Sequence, residues 1–242
     1  MALILNIDAA TEAGSVCLAR DGVSLQAEIN TTQKDHARVI APFIRDLLKR
    51  CDVPKERIEA VAITGGPGSY TGLRVATSTA KGLCYAWGVP LIAIGTLEMM
   101  ASGMKTILTS PYRPLSMSRG KTPDLRRLLY CPMIDARRMD VFTALYNADL
   151  QPLVPPAAVT LKEDFLERYR ESDVVLFGTG SAKAEDLVAG GPRWYSHPFI
   201  CHASYLAPLA EQAFQQGKFQ DLAYFEPFYL KSFYSPPPKG GL

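Results

Sequence analysis

The chain has 242 residues, a hydrophobic content of 48% and a formal net charge of +2. This length accommodates one large domain or two small ones, and the apolar content is sufficient for a packed core. Dedicated nucleic-acid domains usually carry a strongly basic face, so this charge and an isoelectric point near 8.2 argue against a protein that neutralises many phosphates unaided. If the chain serves a nucleic acid, we expect it to do so through a partner protein.

The five cysteines are far apart in the sequence and form no C-x-x-C pair. This spacing predicts neither a zinc knuckle nor a disulfide framework, and favours reduced thiols in the core. The amino-terminal stretch MALILNIDAA has no basic segment and carries Asp8, and no apolar run approaches the ~18 residues needed to span a bilayer. We therefore expect a cytoplasmic protein with no membrane segment.

The first hundred residues combine an antiparallel meander with a βαβ unit. The turn pair Asp21-Gly22 separates two segments in which apolar and polar residues alternate, which is a strong hairpin signal. Strand, helix and strand with short connections then predict a right-handed βαβ crossover. In chain order, the predicted elements are strands at 3–7, 14–20 and 23–29, a helix at 35–50, a strand at 58–64, a helix at 71–87 and a strand at 89–94.

The first predicted helix contains a proline. Its apolar residues form one continuous stripe, which Pro42 interrupts. Either the helix begins near Ala41 with the proline in its first turn, or an earlier turn is kinked there.

The second half of the chain weakly repeats this order. The turn at 135–140 predicts a second hairpin, and a β-branched strand enters the glycine turn Gly178-Thr-Gly180. Residues 102–127 contain three prolines and several basic residues, so we expect a linker or surface insertion. The remaining predicted elements are strands at 130–134, 141–146 and 174–177, helices at 162–170, 182–189 and 205–216, and a disordered tail at 232–242.

This element order predicts the fold class. Meander, helix, strand, helix and strand is the order of one ribonuclease-H-like half, and it also begins the actin and sugar-kinase superfamily. We predict an α/β protein of two ribonuclease-H-like lobes, each a mixed sheet with an antiparallel meander plus a βαβ unit, flanked by helices. The lobes are expected at 1–101 and 128–231. Packing of the last helix of the second lobe against the first lobe is an alternative to packing within its own lobe.

Residues 63–83 read ITGGPGSYTGLRVATSTAKGL, a strand end that runs through glycines into a helix. Their spacing, G-x-G-x-x-x-G, matches neither the dinucleotide nor the P-loop signature. As structure, the glycines and Pro67 make a tight turn that Ser69 or Thr71 caps. As function, the same N–H groups receive a phosphate or a partner's carboxylate. The candidate phosphate contacts are Asp8, Thr11, Gly65, Gly66, Gly68, Ser69, Gly178 and Gly180.

The helix after these glycines has an apolar stripe and several small residues. The stripe is expected to cover the sheet, while small residues permit the close approach of a second helix. Gly82 costs about 1 kcal/mol relative to alanine within a helix. Docking of another protein's helix is one explanation, and packing against the helix at 35–50 of the same chain is the other.

The motif GGPGSYTGLRVA at 65–76 closely resembles the signature of the TsaB family, also called YeaZ, whose usual form is G-P-G-S-[FY]-T-G-[LV]-R. Segments 6–22, 134–138 and 227–231 resemble the family's first hairpin, its second-domain turn and its closing motif. The first hairpin departs from the usual D-T-S-T-E, because residues 8–12 read DAATE and lack two hydroxyls that could meet a phosphate. The resemblance covers residues 1–100 well and the rest in islands.

This resemblance implies a subunit of the bacterial machinery that places threonylcarbamoyl on N6 of adenosine 37 in tRNAs that read ANN codons. It implies a catalytically silent relative of the transferase subunit TsaD, which pairs with TsaD through N-terminal helices, is joined by a TsaE ATPase and forms homodimers when alone. No intrinsic cofactor is implied; ATP or ADP would lie at the interface of the assembled complex, which alone would reach tRNA. The candidate partner contacts are Val39, Ile40, Phe43, Leu47, Leu73, Ala76, Thr77, Ala80 and Cys84.

The arginines of the second hairpin and the three histidines are candidates for tRNA contact and for metal binding, respectively. Arg137 and Arg138 are candidate tRNA contacts; a solvated hairpin tip with ion pairs to the neighbouring aspartates is the alternative. A metal-dependent transferase of the related subunit would need two histidines one helical turn apart, but His36 has no such partner, and His197 and His202 are five residues apart. No metal site is predicted.

Two enzymatic functions remain as alternatives. An ATP-dependent phosphotransferase would use Asp8, with the glycine turns at 65–68 and 178–180 flanking an interdomain cleft, although no clear second acid is present. A glycoprotease-like peptidase would need a zinc motif or a nucleophile elbow, and the sequence has neither.

Overall fold

The computed structural model describes residues 2–31, 36–110, 124–185, 187 and 193–231. The described helices are α1 (His36–Arg50), α2 (Tyr70–Trp87), α3 (Thr96–Thr109), α4 (Ala182–Glu185) and α5 (Ala207–Gln215). The described strands are β1 (Leu3–Asp8), β2 (Gly14–Arg20), β3 (Val23–Asn30), β4 (Ala60–Thr64), β5 (Leu91–Ile94), β6 (Leu129–Asp135), β7 (Asp140–Tyr146), β8 (Pro152–Thr160), β9 (Asp173–Phe177) and β10 (Arg193–His197). None of the described helices is both long and apolar enough to cross a bilayer.

The strands form two five-stranded sheets with the same topology. The first sheet has the order β3-β2-β1-β4-β5, and the second has the order β8-β7-β6-β9-β10. In each sheet, three antiparallel strands continue into two parallel ones. The predicted fold class of two ribonuclease-H-like lobes is therefore confirmed, and the weak repeat in the sequence is a repeat of topology.

The central strand β1 is covered on both faces. Leu5 and Ile7 belong to the hydrophobic cluster that includes residues of α1 and α2, whereas Ile4 belongs to the cluster that includes residues of α3 and α5. Alternate side chains of a strand point to opposite faces, so a strand buried on both sides is mostly apolar, as β1 is apart from the buried Asn6 and Asp8. Burial of each such side chain contributes roughly 1.5–3 kcal/mol to stability.

Helices α3 and α5 join the two lobes. α3 follows the first sheet in the chain but contacts β6 and β7 of the second sheet, and α5 contacts β1 and β5 of the first. The expected linker at 102–127 is corrected accordingly: residues 102–109 continue α3, because Met100, Met104 and Leu108 recur at helical spacing and are buried. Residues 111–123 of that segment lie outside the described residues, as does the tail at 232–242.

Three other local predictions are refined or corrected. α1 includes the turn before Pro42, so the proline lies inside the helix. The predicted helix at 162–170 contains only a 3-10 turn at 167–169, because Leu166 has a φ of +67° and interrupts the helical backbone. The Pro-rich segment after β7 is the edge strand β8, where a missing N–H is tolerated because none of the described strands pairs with its outer side.

Candidate functional site: the α2 surface, the interlobe cleft and the hairpin tip

The glycine motif packs closely against the carboxyl-terminal segment. A Cβ on Gly66, whose φ is +103°, would lie 2.3 Å from the carbonyl oxygen of Phe228. The backbone N–H of Phe228 donates a hydrogen bond to the Gly65 carbonyl at 2.7 Å. Because no side chain fits at residue 66, this glycine is explained by the chain's own packing.

The rest of the motif begins α2. A Cβ on Gly68 would lie 2.2 Å from the carbonyl oxygen of Ala10, and the Ser69 N–H donates to that same carbonyl at 2.7 Å. The Ser69 hydroxyl accepts a hydrogen bond from the Gly72 N–H at 3.3 Å and caps the helix. The contacts of these two candidate phosphate residues are thus those of a tight strand-to-helix turn.

A cleft of about 160 Å³ lies between the lobes. Thr11 on the first lobe and Gly178 on the second lie on its walls, so the structure brings together two of the candidate phosphate contacts. Asp8 is buried beside it, and its carboxylate accepts hydrogen bonds from the Thr64 hydroxyl at 2.8 Å and the Ala10 N–H at 3.1 Å. These bonds tie the carboxylate to the ends of β1 and β4.

The same cleft contains a buried thiol and a second glycine turn. Burial, and then the negative charge of Asp8, raise the pKa of the Cys201 thiol, which is therefore protonated and a poor nucleophile. Gly178 has a φ of +98°, and the Gly180 N–H donates to the Met133 carbonyl at 2.9 Å. This turn connects β9 to β6 through backbone bonds.

Most of the predicted partner contacts lie in the core of the first lobe. The apolar stripes of α1 and α2 pack on the first sheet, because the most apolar side of an amphipathic helix turns to the core. The prediction that these side chains meet a partner directly is therefore corrected for the seven that are buried. These seven are Ile40, Leu47, Leu73, Ala76, Thr77, Ala80 and Cys84, while Val39 and Phe43 are half-buried.

The outer face of α2 is formed by Arg74, Ser78, Gly82 and Tyr85, all exposed. Tyr85 is 85% exposed, and a Cβ on Gly82 would meet no heavy atom within 4 Å. The Arg74 guanidinium lies 4.0 Å from the centre of the Tyr70 ring. No contact within the described chain explains the glycine at residue 82. These four residues recur at i, i+4, i+8 and i+11, and this spacing in the sequence would have predicted that they share one face of the helix.

The segment 220–231 lies beside α2. The Lys81 ammonium donates hydrogen bonds to the carbonyls of Ala223 at 3.1 Å and Phe225 at 3.2 Å. Tyr224 on this segment is 84% exposed. The segment 220–231 therefore adds an exposed aromatic ring to the side of the molecule that carries the outer face of α2.

The tip of the β6–β7 hairpin carries the two candidate tRNA contacts. Arg137 and Arg138 are exposed and have φ angles of +71° and +49°, in the left-handed region. The Asp140 N–H donates to the Arg137 carbonyl at 3.0 Å and closes the turn.

The aspartates beside the tip have different partners from those expected. Lys183 pairs with Asp135 at 2.6 Å, and Lys231 pairs with Asp140 at 2.5 Å. Neither arginine side chain has an ion pair or a hydrogen bond with any residue that the structure describes. The expected local ion pairs of the two arginines are thereby corrected.

The histidines take part in local contacts. The Nδ1 atom of His202 lies 2.7 Å from the Ser204 hydroxyl, and burial lowers the pKa of this imidazole. His197 Nδ1 lies 2.6 Å from the Pro198 carbonyl oxygen, and the side chain of His36 lies outside the described residues. Within the described ranges, no three His, Cys, Asp or Glu residues are grouped so that they could hold a metal ion.

These features define a class of two-lobed α/β proteins in which two ribonuclease-H-like sheets are joined by shared helices. A family model described as TsaD, tRNA N6-adenosine threonylcarbamoyltransferase, matches residues 28–159. The tRNA threonylcarbamoyladenosine biosynthesis protein TsaB of Escherichia coli K12 is 30% identical over 236 residues, which cover 95% of this chain and 94% of that protein. TsaB of Bacillus subtilis 168 is 31% identical over 70% of this chain and 67% of its own length. The chain belongs to the TsaB (YeaZ) family.

Solved structures share this two-lobed fold. A crystal structure of an uncharacterized protein with similarity to peptidase YEAZ from Pseudomonas aeruginosa superposes with a TM-score of 0.77 at 25% identity, over 96% of this chain and 100% of that one. YeaZ from Pseudomonas aeruginosa superposes with a TM-score of 0.75 at 23% identity, over 95% and 100%. The likeness therefore extends over both lobes.

Proposed function

We propose that this chain serves the biosynthesis of threonylcarbamoyladenosine in tRNA as a non-catalytic subunit that pairs with a TsaD-type transferase through the outer face of α2. The observation that carries the proposal is Gly82, a mid-helix glycine in open space beside an 85% exposed Tyr85. A glycine there costs about 1 kcal/mol relative to alanine and contributes nothing to the chain's own packing. Its value is the room it leaves for another helix.

The geometry of the α2 face suits a close helix contact. Helix axes approach to within about 8–10 Å where the side chains at the contact are small, as at Ser78 and Gly82. Tyr85 and Arg74 flank this gap, and tyrosine and arginine are enriched among the side chains that dominate interface energies. A specific pairing of this kind would bury about 1,600 Å² in total. In the absence of the transferase, the same face pairs with a second copy of this chain.

In this proposal the transferase performs the chemistry and this chain orders it. A TsaE-type ATPase joins the pair in the cytoplasm, and tRNA is reached only through the complex. ATP or ADP binds at the assembled interface rather than in the isolated chain, because the cleft of about 160 Å³ is smaller than the 300–1,000 Å³ typical of small-molecule sites. The surface residues of α2, rather than its buried stripe, make the contact.

The test uses purified chain mixed with its TsaD-type transferase at micromolar concentration, analysed by size exclusion with light scattering. The wild-type chain is expected to elute with the transferase as one complex, and Gly82→Arg to elute separately because its side chain fills the gap. Gln212→Arg on α5 is the matched control, since it adds the same side chain at another exposed helical position. Separate elution of the wild-type chain would refute the proposal.

One observation favours the phosphotransferase alternative, namely that Thr11 and Gly178 lie on walls of the same cleft. Magnesium-dependent ATP turnover by the isolated chain, lost in Asp8→Ala, would support it. Because Asp8 also ties β1 to β4, Thr11→Val serves as a second variant that leaves those hydrogen bonds in place. Absence of turnover by the wild-type chain would reject this alternative.

A further inference from the structure

The backbone of the hairpin tip is held in an unusual conformation. Left-handed φ angles cost a non-glycine residue roughly 1–2 kcal/mol, and both Arg137 and Arg138 adopt them. Three hydrogen bonds fix the turn: the Ala136 N–H to the Asp140 carbonyl at 3.0 Å, the Asp140 N–H to the Arg137 carbonyl at 3.0 Å, and the Arg137 N–H to the Asp135 carboxylate at 2.6 Å. The tip therefore presents its two side chains from a defined position.

Lysines from elsewhere in the chain occupy the carboxylates that these arginines would otherwise meet. Lys183 comes from α4, and Lys231 comes from the end of the carboxyl-terminal segment and also donates to the Ala136 carbonyl at 3.3 Å. The Lys231 ammonium, and then the Thr160 hydroxyl, hold the pKa of Asp140 below its ordinary value. Asp140 thus stays ionised and paired with the lysine.

The result is a concentrated positive charge. Four cations and two carboxylates leave the tip with a charge of +2, which equals the formal net charge of the whole chain. Two adjacent guanidinium groups without described partners present forked donors, the geometry that matches phosphate oxygens. A solvated tip with internal ion pairs would need no lysines brought from 48 and 91 residues away.

We propose that Arg137 and Arg138 contact RNA phosphates in the assembled complex, and that Lys231 acts as a positioning residue that keeps them available by occupying Asp140. This inference rests on the proposed function and adds to it the part of this chain that touches the tRNA. The carboxyl-terminal segment then links the two surfaces, since Lys81 of α2 holds the segment at one end and Lys231 holds the hairpin at the other.

The experiment measures binding of a tRNA transcript to the complex of this chain with its TsaD-type transferase, over a series of KCl concentrations. Arg137→Gln/Arg138→Gln is expected to weaken binding about tenfold or more near 100 mM salt and to reduce the slope of log affinity against log salt by about two. Lys55→Gln/Arg57→Gln removes the same charge from an exposed 3-10 helix of the first lobe, and is expected to change affinity by less than about twofold.

The positioning role has its own test. Lys231→Met is expected to weaken tRNA binding about threefold or more, because Asp140 then pairs with a tip arginine. Adding Asp140→Asn should restore the affinity, whereas adding Asp149→Asn, which returns the same charge at an exposed turn, should not. Wild-type affinity in Lys231→Met, or equal rescue by both second changes, would overturn this role.

The outcomes separate the two proposals. Failure of the wild-type chain to pair with the transferase would overturn the proposed function and this inference together. Normal pairing with unchanged tRNA affinity in the double arginine variant would overturn the inference alone, as would equal losses in the double variant and its control. If the double arginine variant binds tRNA normally but no longer retains the TsaE-type ATPase in the complex, the tip contacts an acidic protein surface instead of RNA.

Discussion

At residue 82 we predict a trade-off between the stability of the chain and its binding to a partner, and Gly82→Ala, which adds one methyl group, tests it. Gly82 has helical backbone within α2, and a Cβ built there has open space around it. Gly82→Ala should therefore gain the full difference in helix propensity, with no steric cost to subtract. The expected gain is about 0.5–1 kcal/mol in the free energy of unfolding.

Urea denaturation of the isolated chain, with thermal unfolding as a second measurement, detects this gain. For a chain of this size, 1 kcal/mol corresponds to a rise in Tm of roughly 2–4 °C. The matched control is Gly88→Ala at the end of α2, where a Cβ also meets open space but φ is +68°. That variant should lose about 1 kcal/mol, since alanine is strained in the left-handed region.

The pair isolates backbone conformation from packing. A loss of stability in Gly82→Ala, or a gain in Gly88→Ala, would show that the account of α2 is mistaken. In the presence of the transferase, Gly82→Ala should weaken the pairing while the isolated chain becomes more stable. Unchanged affinity would mean that no helix approaches closely at that position, and the α2 proposal would lose its main support.

Three further predictions concern the interior. A Cβ at residue 66 would overlap the Phe228 carbonyl, so Gly66→Ala should destabilise the chain by about 2 kcal/mol or more in urea unfolding. The same variant should expose the segment after residue 220 to protease. Wild-type stability in Gly66→Ala would contradict this contact. Burial, partly offset by the charge of Lys218, raises the pKa of the Glu98 carboxyl above its ordinary value of 4.5, so the stability that the protonated carboxyl contributes is lost as pH rises through the folded-state pKa. Glu98→Gln should therefore stabilise the chain at neutral pH and change its stability little below pH 4.5. Equal effects at both pH values would contradict this prediction. Burial raises the pKa of the Cys17 and Cys84 thiols to about 11 and of the Cys131 thiol to about 12, and it also raises the pKa of Cys201. A thiol reagent at mildly alkaline pH should therefore modify Cys51 alone in the native chain, and all five thiols after unfolding. Fast labelling of any of the other four thiols in the native chain would contradict this burial.

Local sequence signals were sufficient for the strands of the first meander, for the β6–β7 hairpin and for α2. The Asp21-Gly22 turn, the alternating segments around it and the apolar run ending at Asp8 all specify short-range geometry, so each appears in the structure close to its predicted bounds. The helix at 71–87 was found because a 3.6-residue stripe and the terminal Gly88 agree. The repeat of topology in the second half followed from the same kinds of signal.

Other features depend on contacts between distant residues, and the pattern misled there. The α2 stripe was expected to cover the sheet, yet several of its residues were also named as partner contacts. A stripe shows only that something covers it, and here the chain's own first sheet does so. β8 was missed because proline is unfavourable in a strand unless that strand lies at an edge, and edge position is a property of the assembled sheet.

Periodicity and turn chemistry act over a few residues, which is why most of the strands and helices and the two-lobed class can be derived from the chain alone. The exchange of α3 and α5 between the sheets, the open face of α2 and the pairing of Asp140 with Lys231 rather than with its neighbouring arginine arise from residues far apart in the chain. Such contacts compete in three dimensions, and their outcome depends on packing and charge after the fold has formed.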